Sequence, residues 1–172
     1  MRNERTYRWA DPAELTKAAE GLSGLDLLKA MCEGKVPPPP VGSLIGVDEF
    51  VAEKGKVSCA FDPAEFHYNA LGTVHGGVIA TVIDIVMGSA VHSTLKAGQG
   101  FTTLTLELKY HRAVTTKSGR LTATAEVITR GRDIVTAEAK LLDKNDRLFA
   151  NATSTLMILR PPAGSRAAAE AL

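Results

Sequence analysis

A single carboxylate interrupts a long stretch of this chain that is otherwise uncharged. Asp84 is the one formally charged residue between Phe66 and Leu95. Its neighbours after Gly77 are apolar on every face, a pattern that predicts a buried helix. Because a buried carboxylate is costly unless it is paired or hydrogen-bonded, we interpret Asp84 either as a structural group bonded to a serine or threonine or as a catalytic group.

The tripeptide His75-Gly76-Gly77 stands where this helix is predicted to begin. Amide groups in the first turn of a helix lack partners within the helix and attract negative charge. An oxyanion site near an unusual carboxylate suggests hydrolysis of an acyl compound. His75 could instead cap or pack against the helix. No serine or cysteine nucleophile is paired with it, so a catalytic triad is not indicated.

Composition and charge exclude several classes of protein. The 172 residues are 45% hydrophobic, and the net charge of +1 does not favour nucleic acid or an anionic membrane as a partner. Neither Cys32 and Cys59 nor any pair of histidines has the spacing of a metal site, so we expect no metal and no cofactor. Polar residues interrupt the apolar run Val78–Leu95, which favours a core helix over a membrane span. No signal peptide is visible in residues 1–11, and the expected compartment is the cytoplasm.

Residues 1–40 are predicted to form a helical segment followed by a rigid spacer. Residues 1–10 have no regular pattern and are expected to be loosely attached. Asp11-Pro12 is a typical helix start, and Ser23 begins a second, weaker helical pattern. The four prolines Pro37–Pro40 predict an extended spacer that leads into the main domain.

Residues 41–160 are predicted to form the main domain, and residues 161–172 a flexible tail. The pattern predicts two strands, then a long helix, then four alternating strands joined by short turns as an antiparallel meander. One apolar helix against one curved sheet is a two-layer α+β domain. The predicted elements are strands Ser43–Glu53 and Lys56–Phe61, a helix from about Gly76 to Leu95, strands around Leu104, Leu121 and Val135, and a final strand Leu148–Leu159.

The residues and the order of elements resemble a known family. The motif Asn69-x-x-Gly72-Thr73-x-His75-Gly76-Gly77, followed by Asp84 and Gly88, is similar to that of hotdog-fold acyl-CoA thioesterases of the phenylacetate-pathway (PaaI-like) branch. The resemblance covers roughly residues 20–160. It implies a long helix wrapped by an antiparallel sheet, a homodimer joined sheet edge to sheet edge that pairs into a homotetramer, and metal-independent hydrolysis of an acyl- or aryl-acyl-CoA thioester. Further matching segments are Ser23-Gly24-Leu25, Pro37–Pro40 and Thr102-Thr103-Leu104.

The resemblance also implies roles for individual residues. Asp84 matches the catalytic carboxylate, as general base or nucleophile. Asn69 matches the residue that holds the attacking water or the acyl group. The amide of Gly76 matches the oxyanion donor, and His75 flanks it. Thr103 matches a Ser or Thr that supports the carboxylate and the water.

Other residues are candidates for binding the substrate. Gly77 follows the oxyanion donor, and Thr102 is the adjacent alternative to Thr103. Arg130 and Arg132 flank a turn, where they could be solvated or could meet the phosphates of coenzyme A. The segment 110–113 departs from the family, in which an aromatic or aliphatic residue and then proline are more common. Because it borders the substrate pocket there, the sequence does not indicate which acyl group is preferred.

The spacing of Gly76 and Asp84 predicts that one chain cannot build the site alone. Eight residues of helix span roughly 12 Å, whereas reacting groups must converge within about 3 Å. We expect an obligate homodimer with two shared sites, each taking Asp84 from one chain and Asn69 and Gly76 from the other. The small residues Ala80 and Gly88 should leave room for the partner helix.

Two other functions are compatible with the pattern. A hotdog dehydratase or hydratase would need a histidine and a carboxylate poised for proton transfer at carbon. A non-catalytic acyl-CoA sensor would not need a buried carboxylate aimed at the thioester. The lone helix carboxylate favours hydrolysis.

Overall fold

A computed structural model describes residues 3–160 of the chain, so the tail predicted at residues 161–172 lies outside the described part. Three short helices come first, and one long helix stands between the second and third of six strands. Two single 3-10 turns lie in the connections. The elements are α1 (Pro12–Ala18), α2 (Gly24–Cys32), α3 (Pro40–Ile45), β1 (Val47–Glu53), β2 (Lys56–Phe61), α4 (Gly76–His92), β3 (Gly100–Tyr110), β4 (Leu121–Arg130), β5 (Ile134–Asp143) and β6 (Leu148–Leu159).

The six strands form one antiparallel sheet in the order β1-β2-β4-β5-β6-β3. Helix α4 packs against this sheet and contacts all six strands. Six of its apolar side chains have no exposed surface, so the helix is the centre of the core, as the sequence predicted. They are Val82, Ile83, Val86, Met87, Ala90 and Val91. The two-layer α+β architecture is thereby confirmed. Among the helices of residues 3–160, none is long and apolar enough to cross a membrane.

The predicted meander of four strands is wrong in one respect. Strands β4, β5 and β6 are consecutive neighbours, but β3 pairs with β6 and not with β4. The ten residues 111–120 that link β3 to β4 are too many for a tight hairpin, and they carry the chain to the far side of β5 and β6. Strand β3 therefore lies at an edge of the sheet, and within the described residues its outer side has no partner strand.

Strand β3 contains an irregularity near its start. Thr103 lies opposite Leu156 and Thr105 lies opposite Thr155, so Leu104 is an extra residue without a partner on β6. This arrangement is a β-bulge. The Leu104 side chain is 50% exposed.

The first predicted strand, Ser43–Glu53, begins too early. Residues Pro40–Ile45 form helix α3, and β1 begins at Val47. Pro40 fits the first position of a helix, where its missing amide hydrogen is not needed. Gly46 ends the helix in the left-handed conformation with φ +84°, which glycine adopts without strain. The predicted extended spacer thus ends one residue early, at Pro39.

The segment before α1 is held at one point, contrary to the loose attachment predicted for residues 1–10. The Arg5 guanidinium donates hydrogen bonds to the carbonyls of Leu44 (2.6 Å) and Ser43 (3.1 Å). It also lies 3.8 Å from the centre of the Phe66 ring, a cation–π contact. Arg5 therefore connects the segment to α3 and to the loop that follows β2.

Helix α2 is fixed to the end of α4 by a close backbone approach at Gly24. The Gly24 amide donates to the Leu95 carbonyl (3.1 Å). A Cβ atom at Gly24 would lie 1.8 Å from the carbonyl oxygen of His92. Side chains Leu27 and Leu28 of the same helix are buried. The N-terminal helices are thus part of the packed structure, and glycine is required where α2 meets α4.

We expect Gly24→Ala to lower the free energy of unfolding by about 2 kcal/mol, because the new methyl group must push α2 away from α4. The matched control is Gly42→Ala in α3, where the added Cβ would make an ordinary 3.6 Å contact with Val47. The control should be neutral or stabilising by about 0.5 kcal/mol. Urea denaturation of both variants measures the difference. Equal stability of the two would show that α2 is not held in this way.

Candidate active site

The Asp84 carboxylate is half-buried on α4 and has a partner on the edge strand. Thr103 of β3 donates a hydrogen bond from its hydroxyl to Asp84 Oδ1, with a distance of 3.0 Å. Within the described residues, Oδ2 of the same carboxylate accepts no hydrogen bond. The family resemblance paired Asp84 with Thr103, with Thr102 as the adjacent alternative. The structure shows that Thr103 makes the hydrogen bond to Asp84. One carboxylate oxygen is held and the other is free.

Asp84 faces a large cavity between α4 and the N-terminal part of the chain. This Asp84 cavity has a volume of about 850 Å³ and is mostly apolar. On the α4 side its wall includes Asp84, Ile85, Gly88, Ser89, His92 and also Phe101 of β3. The opposite wall comes from α1, α2, α3 and β1. A volume of this size is typical of a small-molecule site.

The start of α4 presents one free amide. His75 is the N-cap residue, and its Nδ1 accepts a hydrogen bond from the Gly77 amide (2.9 Å). The Val78 amide donates to the His75 carbonyl (2.9 Å). Within the described residues, the Gly76 amide is therefore the one in this first turn without an acceptor. His75 therefore caps the helix, which is one of the alternatives that the sequence left open. The Gly76 amide remains free to bind negative charge.

Tyr110, the last residue of β3, covers the start of the helix. Its hydroxyl donates to the Gly76 carbonyl (2.8 Å). Partial burial raises the pKa of the Tyr110 phenol above its usual value, which keeps the donor protonated. A Cβ atom at Gly76 would lie 3.0 Å from the Tyr110 hydroxyl, so a larger residue at this position would displace the Tyr110 side chain by a few tenths of an ångström.

A second, smaller cavity lies beside this contact. This Gly76 cavity has a volume of about 330 Å³ and is lined by residues that lead into α4 and by those that follow β3. The segment Tyr110–Ala113, which departs from the family pattern, forms much of its wall. The full lining is Thr73, Val74, Gly76, Ile79 and Tyr110 to Val114.

Asn69 organises the loop that delivers the chain to Gly76. Its Oδ1 accepts hydrogen bonds from the amides of Leu71 (2.8 Å) and Thr73 (3.3 Å), and its Nδ2 donates to the Thr73 hydroxyl (3.1 Å). These bonds are those of a turn residue. The predicted role of Asn69 in holding water or the acyl group stays a prediction, and its second Nδ2 hydrogen remains for such a contact.

The candidate residues fall into two groups that do not meet within one protomer. Asp84 lines the larger cavity and Gly76 lines the smaller one. Arg130 and Arg132 are exposed on the β4–β5 hairpin and line neither cavity. Arg132 has a long 3.9 Å contact with Asp133 on the same hairpin. The chain thus has two separate candidate groups, a carboxylate in the larger cavity and a free amide in the smaller one.

The expectation that Gly88 leaves room for a partner helix is wrong. A Cβ atom at Gly88 would lie 2.8 Å from the ring of Phe101 in the same chain. The same ring contacts the His92 imidazole, with 5.6 Å between ring centres. Glycine at position 88 therefore makes space for Phe101, which becomes part of the wall of the Asp84 cavity.

Three features of this region were missed from the sequence. The sequence marked Tyr110 only as a departure from the family, and nothing in the pattern indicated that Phe101 packs on Gly88. Nothing in the pattern of α1 to α3 indicated that these helices line a cavity.

Within residues 3–160, no three His, Cys, Asp or Glu side chains lie close enough together to hold a metal ion.

Comparison with known proteins identifies the family. Residues 71–150 match the thioesterase superfamily. A protein of Saccharolobus solfataricus that is named an esterase is 30% identical over 118 residues, which cover 69% of this chain and 77% of that protein. Acyl-coenzyme A thioesterase 13 of Homo sapiens is 28% identical over 120 residues, covering 69% of this chain and 81% of the relative.

A solved structure agrees with these relatives. The phenylacetic acid degradation-related protein of Ralstonia eutropha JMP134 superposes with a TM-score of 0.69 and 28% sequence identity, covering 76% of this chain and 98% of that chain. The resemblance to the PaaI-like branch is thereby confirmed. The chain belongs to the thioesterase superfamily and is a thioester hydrolase with the hotdog fold.

Proposed function

We propose that this protein hydrolyses an acyl- or aryl-acyl-CoA thioester to the free acid and coenzyme A, with Asp84 as the catalytic carboxylate. The observation that carries the proposal is the α4 carboxylate, held through one oxygen by Thr103 and facing a large apolar cavity. The name of the human relative, an acyl-coenzyme A thioesterase, supports coenzyme A as the thiol. A sensor is less well supported, since it does not need a carboxylate at the cavity wall. A dehydratase is less well supported because it would need a histidine poised with the carboxylate, whereas the hydrogen-bond partner of Asp84 is Thr103.

Asp84 can act in either of two ways. As a base it takes a proton from water while the water oxygen bonds to the thioester carbonyl carbon, and the negative charge moves to the carbonyl oxygen. The carbon–sulfur bond then breaks, the acid forms, and the thiolate accepts the proton from Asp84. As a nucleophile, the carboxylate displaces the thiolate to form a mixed anhydride, which water then hydrolyses. In both routes the Gly76 amide stabilises the oxyanion.

We further propose that each site is shared across a homodimer. The half-sites of one protomer open into different cavities, and both contact the free edge strand β3, Asp84 through Thr103 and Gly76 through Tyr110. A two-fold axis through β3 at Glu107, which is midway between Thr103 and Tyr110 when the bulged Leu104 is not counted, would pair the two edge strands antiparallel. It would set Thr103 opposite Tyr110 of the partner subunit. The carboxylate of one chain would then face the oxyanion donor of the other. The further pairing of dimers into a tetramer stays a prediction.

Contacts with coenzyme A remain proposals. Arg130 and Arg132 are exposed cations on a hairpin, and in an assembly they could bind the nucleotide phosphates of a substrate. Gly77 donates its amide to His75, so any contact of Gly77 with the substrate would be made by its backbone surface.

We expect the purified protein to release free thiol steadily from a panel of acetyl-, hexanoyl-, decanoyl- and phenylacetyl-CoA, measured with a thiol reagent. Release should continue after exhaustive chelation, because the proposed base and oxyanion donor are protein groups. Binding of these thioesters without release would indicate a sensor. Loss of activity on chelation, restored by a divalent ion, would show that a metal takes part.

A further inference from the structure

The wall of the Asp84 cavity opposite α4 is built by the N-terminal helices. Leu15 and Ala19 come from α1, Leu28 and Met31 from α2, and Val41 from α3. All of these side chains are apolar. The residues that match the thioesterase superfamily begin at residue 71. Asp84 therefore faces a cavity whose far wall is built by residues that precede this match.

We propose that the acyl group of the substrate lies in the Asp84 cavity, so that helices α1 to α3 select the acyl group. The inference rests on the proposed thioesterase function and extends it to a substrate class. That class is acyl groups with a large apolar body, either medium-length aliphatic chains or aryl-acyl groups, in preference to acetyl.

The α4 side of the cavity fits such a group. Asp84, Gly88 and His92 are spaced four residues apart and so lie along one face of the helix. The Phe101 ring covers Gly88 and contacts His92. Burial lowers the pKa of the His92 imidazole, which is therefore neutral at physiological pH. Beyond Asp84, this wall presents an aromatic ring and an uncharged imidazole to the bound group.

Apart from Asp84, the charged residues of the lining lie at its exposed margin. Asp48 and Glu49 of β1 are exposed, and both form ion pairs with Arg120. Their charges are thus balanced and remain in contact with solvent. An apolar acyl group can therefore enter the cavity without removing water from Asp48 or Glu49.

The two ends of the N-terminal segment differ in how firmly they are held. Helix α2 is fixed by Gly24 and by two buried leucines. Helix α1 has no buried residue, although Ala19 at its C-cap lines the cavity. Position 19 therefore tolerates a larger side chain without disturbing the core. Val41, 39% exposed at the edge of α3, offers a second such position.

The test is to fill the cavity from this wall and measure kcat/KM across the four thioesters. The variants are Ala19→Phe and Val41→Trp, and the matched control is Ala13→Phe on the exposed surface of α1, which does not line the cavity. Each methylene removed from an apolar site is worth about fourfold. We expect at least about a tenfold loss for decanoyl- and phenylacetyl-CoA, with acetyl-CoA within about twofold of wild type. The control should match wild type on all four.

Calorimetry with the non-hydrolysable thioether decyl-CoA separates this inference from the proposed function. Both filled variants should bind decyl-CoA at least about tenfold more weakly while binding of coenzyme A itself is unchanged. If wild type hydrolyses no thioester yet this selective loss is seen, the hydrolytic proposal fails and the acyl pocket stands. If wild type hydrolyses thioesters but both filled variants keep its ratio of decanoyl-CoA to acetyl-CoA activity, the acyl group does not lie in this cavity. The same conclusion follows if both variants lose activity equally toward all four thioesters.

Discussion

Replacing Asp84 with asparagine is expected to lower turnover by at least about 100-fold while the fold and the assembly remain intact. Asparagine has nearly the same size as aspartate, and its carbonyl oxygen can still accept the hydrogen bond from Thr103. It has no carboxylate to take a proton or to attack the thioester. Because the half-buried charge is removed, stability should hold or rise.

The measurement combines steady-state kinetics, thermal denaturation and size-exclusion chromatography on the same preparation. Asp146→Asn is the matched control, since Asp146 is exposed in the β5–β6 turn and lines neither cavity. Its φ of +59° is one that asparagine also adopts. The control should keep wild-type turnover. Near-normal turnover of Asp84→Asn would remove Asp84 from the mechanism.

Two inactive variants are expected to restore activity to each other when they share a dimer. Asp84→Ala removes the carboxylate half-site. Asn69→Ala removes the three hydrogen bonds that order the loop before Gly76, and so disables the oxyanion half-site. If the chains are unfolded together and refolded at equal concentration, half of the dimers should be mixed. Each mixed dimer has one site with both defects and one with none, so about a quarter of wild-type activity should return.

The control for complementation is a mixture of Asp84→Ala with Asp84→Asn, which share the same defective half-site. That mixture should stay inactive whichever dimers form. If each site belonged to a single chain, the Asp84→Ala and Asn69→Ala mixture would be as inactive as its parents. Size-exclusion chromatography of both mixtures verifies that dimers have formed again.

The features that the sequence predicted well are those encoded by local patterns. Helix α4 begins at Gly76, as predicted, because a histidine followed by two glycines precedes a continuous apolar run. Strand β6 has the predicted bounds Leu148–Leu159. The length of the apolar run indicates a helix for α4, and alternation indicates a strand for β6.

The features that were missed depend on contacts between distant residues. Alternation in β3 indicates a strand but does not specify its neighbour, so the pairing with β6 could not be predicted. The apolar run at the start of the main domain was assigned to a strand, although Pro40 and Gly46 set the limits of a helix. The Asp84–Thr103 pair came from the family resemblance, whereas the Gly88–Phe101 contact required the packed structure.

The extra residue Leu104 determines which way the two ends of β3 face. Thr103 and Tyr110 are an odd number of residues apart, so in a regular strand their side chains would point to opposite sides. Their partners on β6, Leu156 and Ala150, are an even number apart, and both are buried. The bulge therefore acts as a phase shift within the strand. It turns Thr103 and Tyr110 toward the same helix, so that a single strand can position both the Asp84 carboxylate and the first residue of α4. A β3 shorter by this one residue could hold one of them but not both.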